Sequence, residues 1–261
     1  MTASANAQQL KPLERFALIP AFDDKIDELA SNAESEDWNY TSTPSAKTHP
    51  VLRNYVNYTF ARVEEEGKIE TALDGSMSAW NTGLVTPLQE AIYMVLARNK
   101  ISGDSRGWHF FRWSRQGEAS LNKLAKLPDM AHYFDDPSCL VLDTRLEIRA
   151  NVEHIIADNR GRFPEPYRSM SDFELHNYLR GAIGAATSRV RRNYKAAIPQ
   201  YYKGSVQLLL PLCLRDPSRA DLALVVDRLD GFYRAATCLT LDMAYNNARQ
   251  LARPDKDWLQ P

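Results

Sequence analysis

Cysteine is scarce in this chain: three in 261 residues, Cys139, Cys213 and Cys238, with no CxxC pair among them. An odd, scattered set excludes a disulfide framework and the spaced thiols of a zinc site, so the expectation is buried, reduced thiols in a cytoplasmic protein. No apolar run approaches the length of a membrane-spanning helix, and the N-terminus lacks the basic-then-apolar pattern of a secretory signal; no membrane partner is expected. An excess of one charge is lacking too. With 32 Lys and Arg against 33 Asp and Glu, the formal charge is −1, which excludes a protein that coats nucleic acid through a general basic surface. The GxxxxGKS/T, GxGxxG, HExxH and GxSxG patterns are all missing, so nothing points to a P-loop kinase, a dehydrogenase, a metalloprotease or an α/β-hydrolase. Carboxylates with a metal-site spacing are missing as well, so neither a metal nor a cofactor is expected.

What the sequence does have is a local charge asymmetry. Asp23 to Asp74 holds 12 acids and 5 bases, whereas Arg145 to Lys203 holds 11 bases and 6 acids. A basic face on a neutral chain suits a compact polyanion better than a long duplex.

Helical spacing of Phe22, Ile26 and Leu29 predicts a short helix over 23–33, and Pro50 and Gly67 bracket a second. "MSAWNTGL" reads as a strand ending in a loop. Thr86, Pro87 and Gln89 resemble a capping box and predict a helix over "TPLQEAIYMVLARN". "WHFFRW" and "SCLVLD" read as strands, "ANVEHIIADNRGRFP" as a helix stopped by Gly161 and Pro164. Ser171 with Glu174 opens a long helix reaching about Tyr194. "SVQLLLPLCL", "ADLALVVDRL" and "FYRAATCLTL" are apolar segments joined by short turns, which predicts an antiparallel three-stranded meander, and "DMAYNNARQLA" closes the chain as a helix. The expected class is α+β: a mixed or largely antiparallel sheet flanked by helices, one domain over 16–261 after a loose segment at 1–15.

Four clusters carry candidate chemistry. Asn81, Thr82 and Gly83 precede the helix expected at Pro87, so converging amides and a helix N-terminus would hold a phosphate; the alternative is an ordinary strand-to-helix turn. Asn151, His154 and Asp158 share a helical face with Arg160 and Arg162 beyond it, making His154 the choice for a general acid or base; otherwise it is a surface histidine. Arg189, Arg192 and Lys195 form a cationic strip interrupted by Asn193 and Tyr194, followed by Tyr201 and Tyr202, which offers guanidinium for phosphate and rings for a base. A solvated charged face is the plainer alternative. Finally, Asp242, Tyr245 and Arg249 lie on one side of the last helix, where Asp242 either caps it or orients a cation.

"MSAWNTGL", "RRNYKAAIPQYY", "VQLLLPLCL" and "TLDMAYNNAR" with "RPDKDWL" resemble the bacterial domain family DUF3825 over roughly 16–259. The resemblance brings no reaction with it. It implies an RNA or nucleotide context, because members resemble partners of the LOTUS (OST-HTH) winged-helix module. The combined expectation is a cleft lined by Asn81, Thr82, Gly83, Asn151, His154, Arg162, Arg192, Asn193, Lys195 and Asp242. Its ligand would be a nucleotide or an RNA phosphate. The protein would be either a phosphoester hydrolase or phosphotransferase using His154, a non-catalytic sensing module, or a protein-interaction domain.

Overall fold

A computed structural model describes residues 10–254 and 258–259. Two five-stranded mixed sheets organise the chain in an α+β arrangement, where a single sheet is expected, and each anchors a compact unit. The first unit takes the described residues up to Asn39 and then Ser45–His132; the second takes Tyr40–Pro44 and the described residues from Tyr133 onward. No helix among the described residues is long and apolar enough to cross a membrane.

In the first unit, α1 (Pro12–Phe16) leads into β1 (Ala17–Leu18), followed by α2 (Phe22–Asn32) and α3 (Pro50–Glu65). The short α1 starts within the segment 1–15 expected to be loose and ends just past it, and its Leu13 is fully buried; residues 1–9 lie outside the described residues. The apolar positions of α3, including Leu52, Val56, Phe60 and Val63, are buried, and Phe60 meets Trp80 edge-on at 5.4 Å between ring centroids. The sheet comprises β2 (Glu70–Thr71), β3 (Met77–Val85), β4 (Ala91–Arg98) and β5 (Trp108–Arg115), in the order β1-β5-β4-β3-β2.

The helix expected over 86–99 is absent, and the segment is the turn into β4 followed by β4 itself. Thr86 does use its side chain as a local cap, but its Oγ1 accepts from the amides of Leu88 (3.3 Å) and Glu90 (3.2 Å). With Gln89 at φ 65°, these bonds close a hairpin turn. The apolar run "AIYMVL" then pairs antiparallel with β3 and β5. A short apolar run reads equally as buried strand or buried helix, and its β-prone Ile, Tyr and Val fit the strand. "SCLVLD" is not a strand either: Pro137–Leu140 is a single 3₁₀ turn, and the Asp136 carboxylate accepts from Ser138 N at 2.8 Å.

The second unit is closer to expectation. β6 (Glu147–Ala150) runs into α4 (Val152–Asn159), and the Ser171–Glu174 capping box starts α5 (Asp172–Arg192). β7 (Ile198–Tyr202), β8 (Ser205–Leu212), β9 (Leu222–Leu229) and β10 (Phe232–Leu239) follow, and α6 (Leu241–Leu251) closes the unit. The expected meander is β8-β9-β10, extended by β7 at one edge and by parallel β6 at the other. Pleating sorts its side chains. Leu208, Leu210, Leu212, Leu224 and Val226 join the apolar face of α5 and the buried side of α4 in one core. Alternate positions, among them Gln207, Val225 and Asp227, face the other way, the side that carries α6.

Candidate functional site

Polar residues in apolar strands need partners, and on the α6 side of the second sheet they find one another. Gln200 on β7 stands opposite Gln207 on β8, and its Nε2 donates to Gln207 Oε1 at 2.7 Å. Gln207 Nε2 donates to Asp227 Oδ1 at 2.5 Å, and Asn247 Nδ2 on α6 donates to Gln200 Oε1 at 3.1 Å. Arg234 on β10 supplies Asp227 from the far side at 3.3 Å. An ionised carboxylate only accepts, so Asp227 forces Gln207 to offer its amino end. Gln207 Oε1 must then face Gln200, and Gln200 Oε1 must face Asn247. One charged group therefore sets the direction of three neutral amides.

β10 carries a bulge between Ala235 and Thr237. The extra residue shifts the alternation by one, turning Cys238 into the core and Thr237 and Leu239 to the α6 side. Arg162, in the 3₁₀ turn after α4, reaches this bulge. Its Nη1 donates to Cys238 O at 2.5 Å and Thr237 Oγ1 at 3.3 Å, and also to Asn159 Oδ1. Asn159 Oδ1 accepts from Thr237 Oγ1 as well, at 3.0 Å. Every one of these bonds runs through Nη1; Nε and Nη2 have no partner among the described residues.

Asp242, 2% exposed, sits in the first turn of α6. Its two carboxylate oxygens accept from the amides of Thr41 and Ser42, each at 3.0 Å. Tyr40 Oη donates to Asn246 Oδ1 at 3.4 Å. These bonds draw Tyr40–Pro44 against α6. Together the strap, α6 and the amide row enclose a cavity of about 410 Å³. Tyr40, Tyr202, Arg162, Asp242, Asn246 and Asn247 line its walls, with Gln200, Gln207, Val225 and Leu239 beneath.

The expected site residues scatter. Arg162 and Asp242 meet in this cavity. Asn81, Thr82 and Gly83 lie in the first unit, buried or half-buried in β3, and the helix that was to stand behind them does not exist. "NTG" does turn sharply, with Gly83 at φ 72°, but it spends its own donors: Asn81 Oδ1 accepts from Gly83 N at 2.9 Å and Thr82 Oγ1 from Leu84 N at 3.2 Å. His154 is half exposed on α4, its Nε2 3.4 Å from Asp158 Oδ2 one turn on, and it is not among the cavity-lining residues. Asn151 caps that helix, accepting from His154 N at 3.2 Å. Arg192 and Asn193 are exposed at the end of α5, where Asn193 Oδ1 accepts from Lys195 N. Lys195 lines a separate hollow with Leu140 and Pro199.

Gln200, Gln207, Tyr40, Asn246 and Asn247 line this candidate cavity and are not singled out by the sequence reading. A signal existed for the glutamines, since a lone Gln inside "IPQYY" and another inside "SVQLLL" break otherwise apolar strands. For Tyr40 there was none, because its partner is 206 residues away.

Burial pushes the Cys238 thiol up to about 12, against a smaller downward pull from Arg162. The thiolate is the reactive form, so Cys238 should stay unmodified by a maleimide at pH 8 in the native protein and label only on unfolding. Mass mapping of the labelled sites checks this. Rapid native labelling would mean that β10 opens.

The family model described as a domain of unknown function, DUF3825, matches residues 29–258. No curated protein and no solved structure matches the chain. The LOTUS association is not among these findings.

Proposed function

The chain belongs to the DUF3825 family, a domain of unknown function, and from the cavity beside α6 we propose that it binds a nucleotide or the phosphorylated end of an RNA. The observation that carries this reading is Arg162: a guanidinium fixed through one nitrogen, with its Nε–Nη2 edge left for a ligand. That edge presents two parallel N–H donors, the fork that fits two phosphate oxygens. Tyr40 and Tyr202 supply ring faces for a base, and the amides of Asn247 and Gln207 supply donors and acceptors for its edge.

Binding without catalysis is the favoured form. Among the described residues, no histidine, lysine or cysteine lines the cavity, and both oxygens of Asp242 are already held by backbone amides. A phosphoester hydrolase or phosphotransferase acting through His154 has no support in this arrangement. We place the binding in the cytoplasm, in keeping with three unpaired thiols.

Isothermal titration with AMP, GMP and a 5′-phosphorylated trinucleotide tests the reading. Arg162→Ala should weaken the ligand that binds by about 1.5–3 kcal/mol, roughly 10- to 150-fold, the scale of hydrogen bonds to a charged group. Arg162→Lys should recover part of that loss, and His154→Ala should change nothing. Binding that survives Arg162→Ala in a folded protein removes the cavity as the site.

A further inference from the structure

On the opposite side of the second sheet, α5 presents a face that its own core does not use. Phe173, Asn177, Arg180, Gly184, Ser188 and Arg191 follow one another at helical spacing, and all six are exposed. Phe173 is 77% exposed, an unusual place for a phenylalanine. Arg180 and Arg191 make no hydrogen bond or ion pair among the described residues, and neither do Arg192 and the Lys195 ammonium just beyond. Most arginines elsewhere in this unit do have partners, such as Arg160 with Asp172 and Arg215 with Asp221.

Two grooves border this face. One, of about 630 Å³, includes Arg180, Gly184, Ser188 and Arg191 with Asn151 across from them. The other, about 710 Å³, includes Phe173 and Asn177. Glu153 and His176 line both, so the two join end to end. Gly181 and Gly184 keep the middle low: a Cβ added at either would meet nothing within 4 Å. From Phe173 to Arg191 the helix rises about 27 Å, at ~1.5 Å per residue.

We propose that this groove is a track for a single strand of nucleic acid, with Phe173 stacking a base and Arg180 and Arg191 holding phosphates about 16 Å apart along the helix. Unpaired cations in line with an exposed aromatic are the chemistry of sequence-tolerant single-strand binding. A single strand fits better than a duplex. Glu153 on the α4 wall would repel a second backbone, and the protein has no net positive charge to attract one. The track does not depend on the cavity beside α6, and the two stand or fall separately.

Fluorescence anisotropy with end-labelled U15 and dT15 at low salt provides the test, with poly-glutamate of equal charge as competitor. Both oligonucleotides or U15 alone should bind, the second result adding recognition of the ribose hydroxyl. Arg180→Gln with Arg191→Gln should lower the slope of log K against log salt by about 1.4, since each lost phosphate contact on a single strand removes ~0.7. Phe173→Ala should weaken binding about 5- to 150-fold, the range for one stacked base. Glu153→Gln should tighten it, and Arg162→Ala should leave it unchanged. These substitutions sit on exposed positions, and an unchanged melting temperature confirms that each variant folds. The proposal is overturned if neither oligonucleotide binds. It is equally overturned if poly-glutamate competes as well as U15, or if the arginine pair and Phe173 can be replaced without effect.

Discussion

Gly83→Ala should destabilise the first unit by about 2–5 kcal/mol, although it adds one methyl group. Gly83 sits at φ 72°, where an L-residue costs about 1–2 kcal/mol. A Cβ there would lie 2.6 Å from Tyr55 Oη. That hydroxyl cannot simply withdraw, because it donates to Thr82 O at 2.8 Å in a buried setting, and losing such a bond costs a further ~1–3 kcal/mol. The two parts separate in a double-variant cycle. Without the hydroxyl the nearest Tyr55 atom is Cζ at 3.9 Å, an ordinary contact. Gly83→Ala in a Tyr55→Phe background should therefore cost only the backbone part. Urea denaturation followed by Trp80 fluorescence measures each corner, and strict additivity would show that the clash plays no part.

Gln200→Glu should be still more damaging than its near-identical shape suggests, by about 3–5 kcal/mol at neutral pH, the scale of an uncompensated buried charge. Gln200 is 1% exposed, and the carboxylate would face Gln207 Oε1, which Asp227 holds in place as an acceptor. Two acceptors cannot share a hydrogen bond. A glutamate at 200 would have its folded pKa raised above the unfolded value, because only the protonated acid can donate to Gln207. Its destabilisation is therefore full above the folded pKa and relieved as the pH falls through it. Combining Gln200→Glu with Asp227→Asn should restore much of the loss at neutral pH, since Gln207 is then free to turn over. Denaturation midpoints at pH 5 and pH 8 for the single and double variants check both statements. A double variant no better than the single would mean that Asp227 does not set the row's direction.

The legible parts of this fold were those whose signals are local. The Ser171–Glu174 capping box starts α5, and the apolar segments with two short turns give β8, β9 and β10. "TPLQEA" misled for a physical reason: the same Thr hydroxyl that caps a helix also closes a hairpin turn, and only the partner strands β3 and β5 decide between them. Of the residues lining the candidate cavity, Arg162 and Asp242 are two that the sequence reading singles out, as polar residues at the ends of helices beside apolar strands. Nothing local separates Arg162 from Arg192, however; one meets a bulge in β10 and the other meets solvent. The parallel pairings of β1 with β5 and of β6 with β10, like the Tyr40 strap, depend on contacts between distant positions, which spacing along the chain does not encode.

The clamp between Asp242 and the amides of Thr41 and Ser42 also imposes an order of events during synthesis. Its partners are about 200 positions apart, so Tyr40–Pro44 emerges from the ribosome long before the carboxylate that fixes it. At about 5–20 residues per second, the interval is ten seconds or more. Throughout that time the segment has neighbours on both sides that can already fold in the first unit, while its own docking place does not exist. The cavity beside α6 therefore closes only after α6 has been made, and a nascent chain stalled before residue 242 would carry a meander with no strap over it.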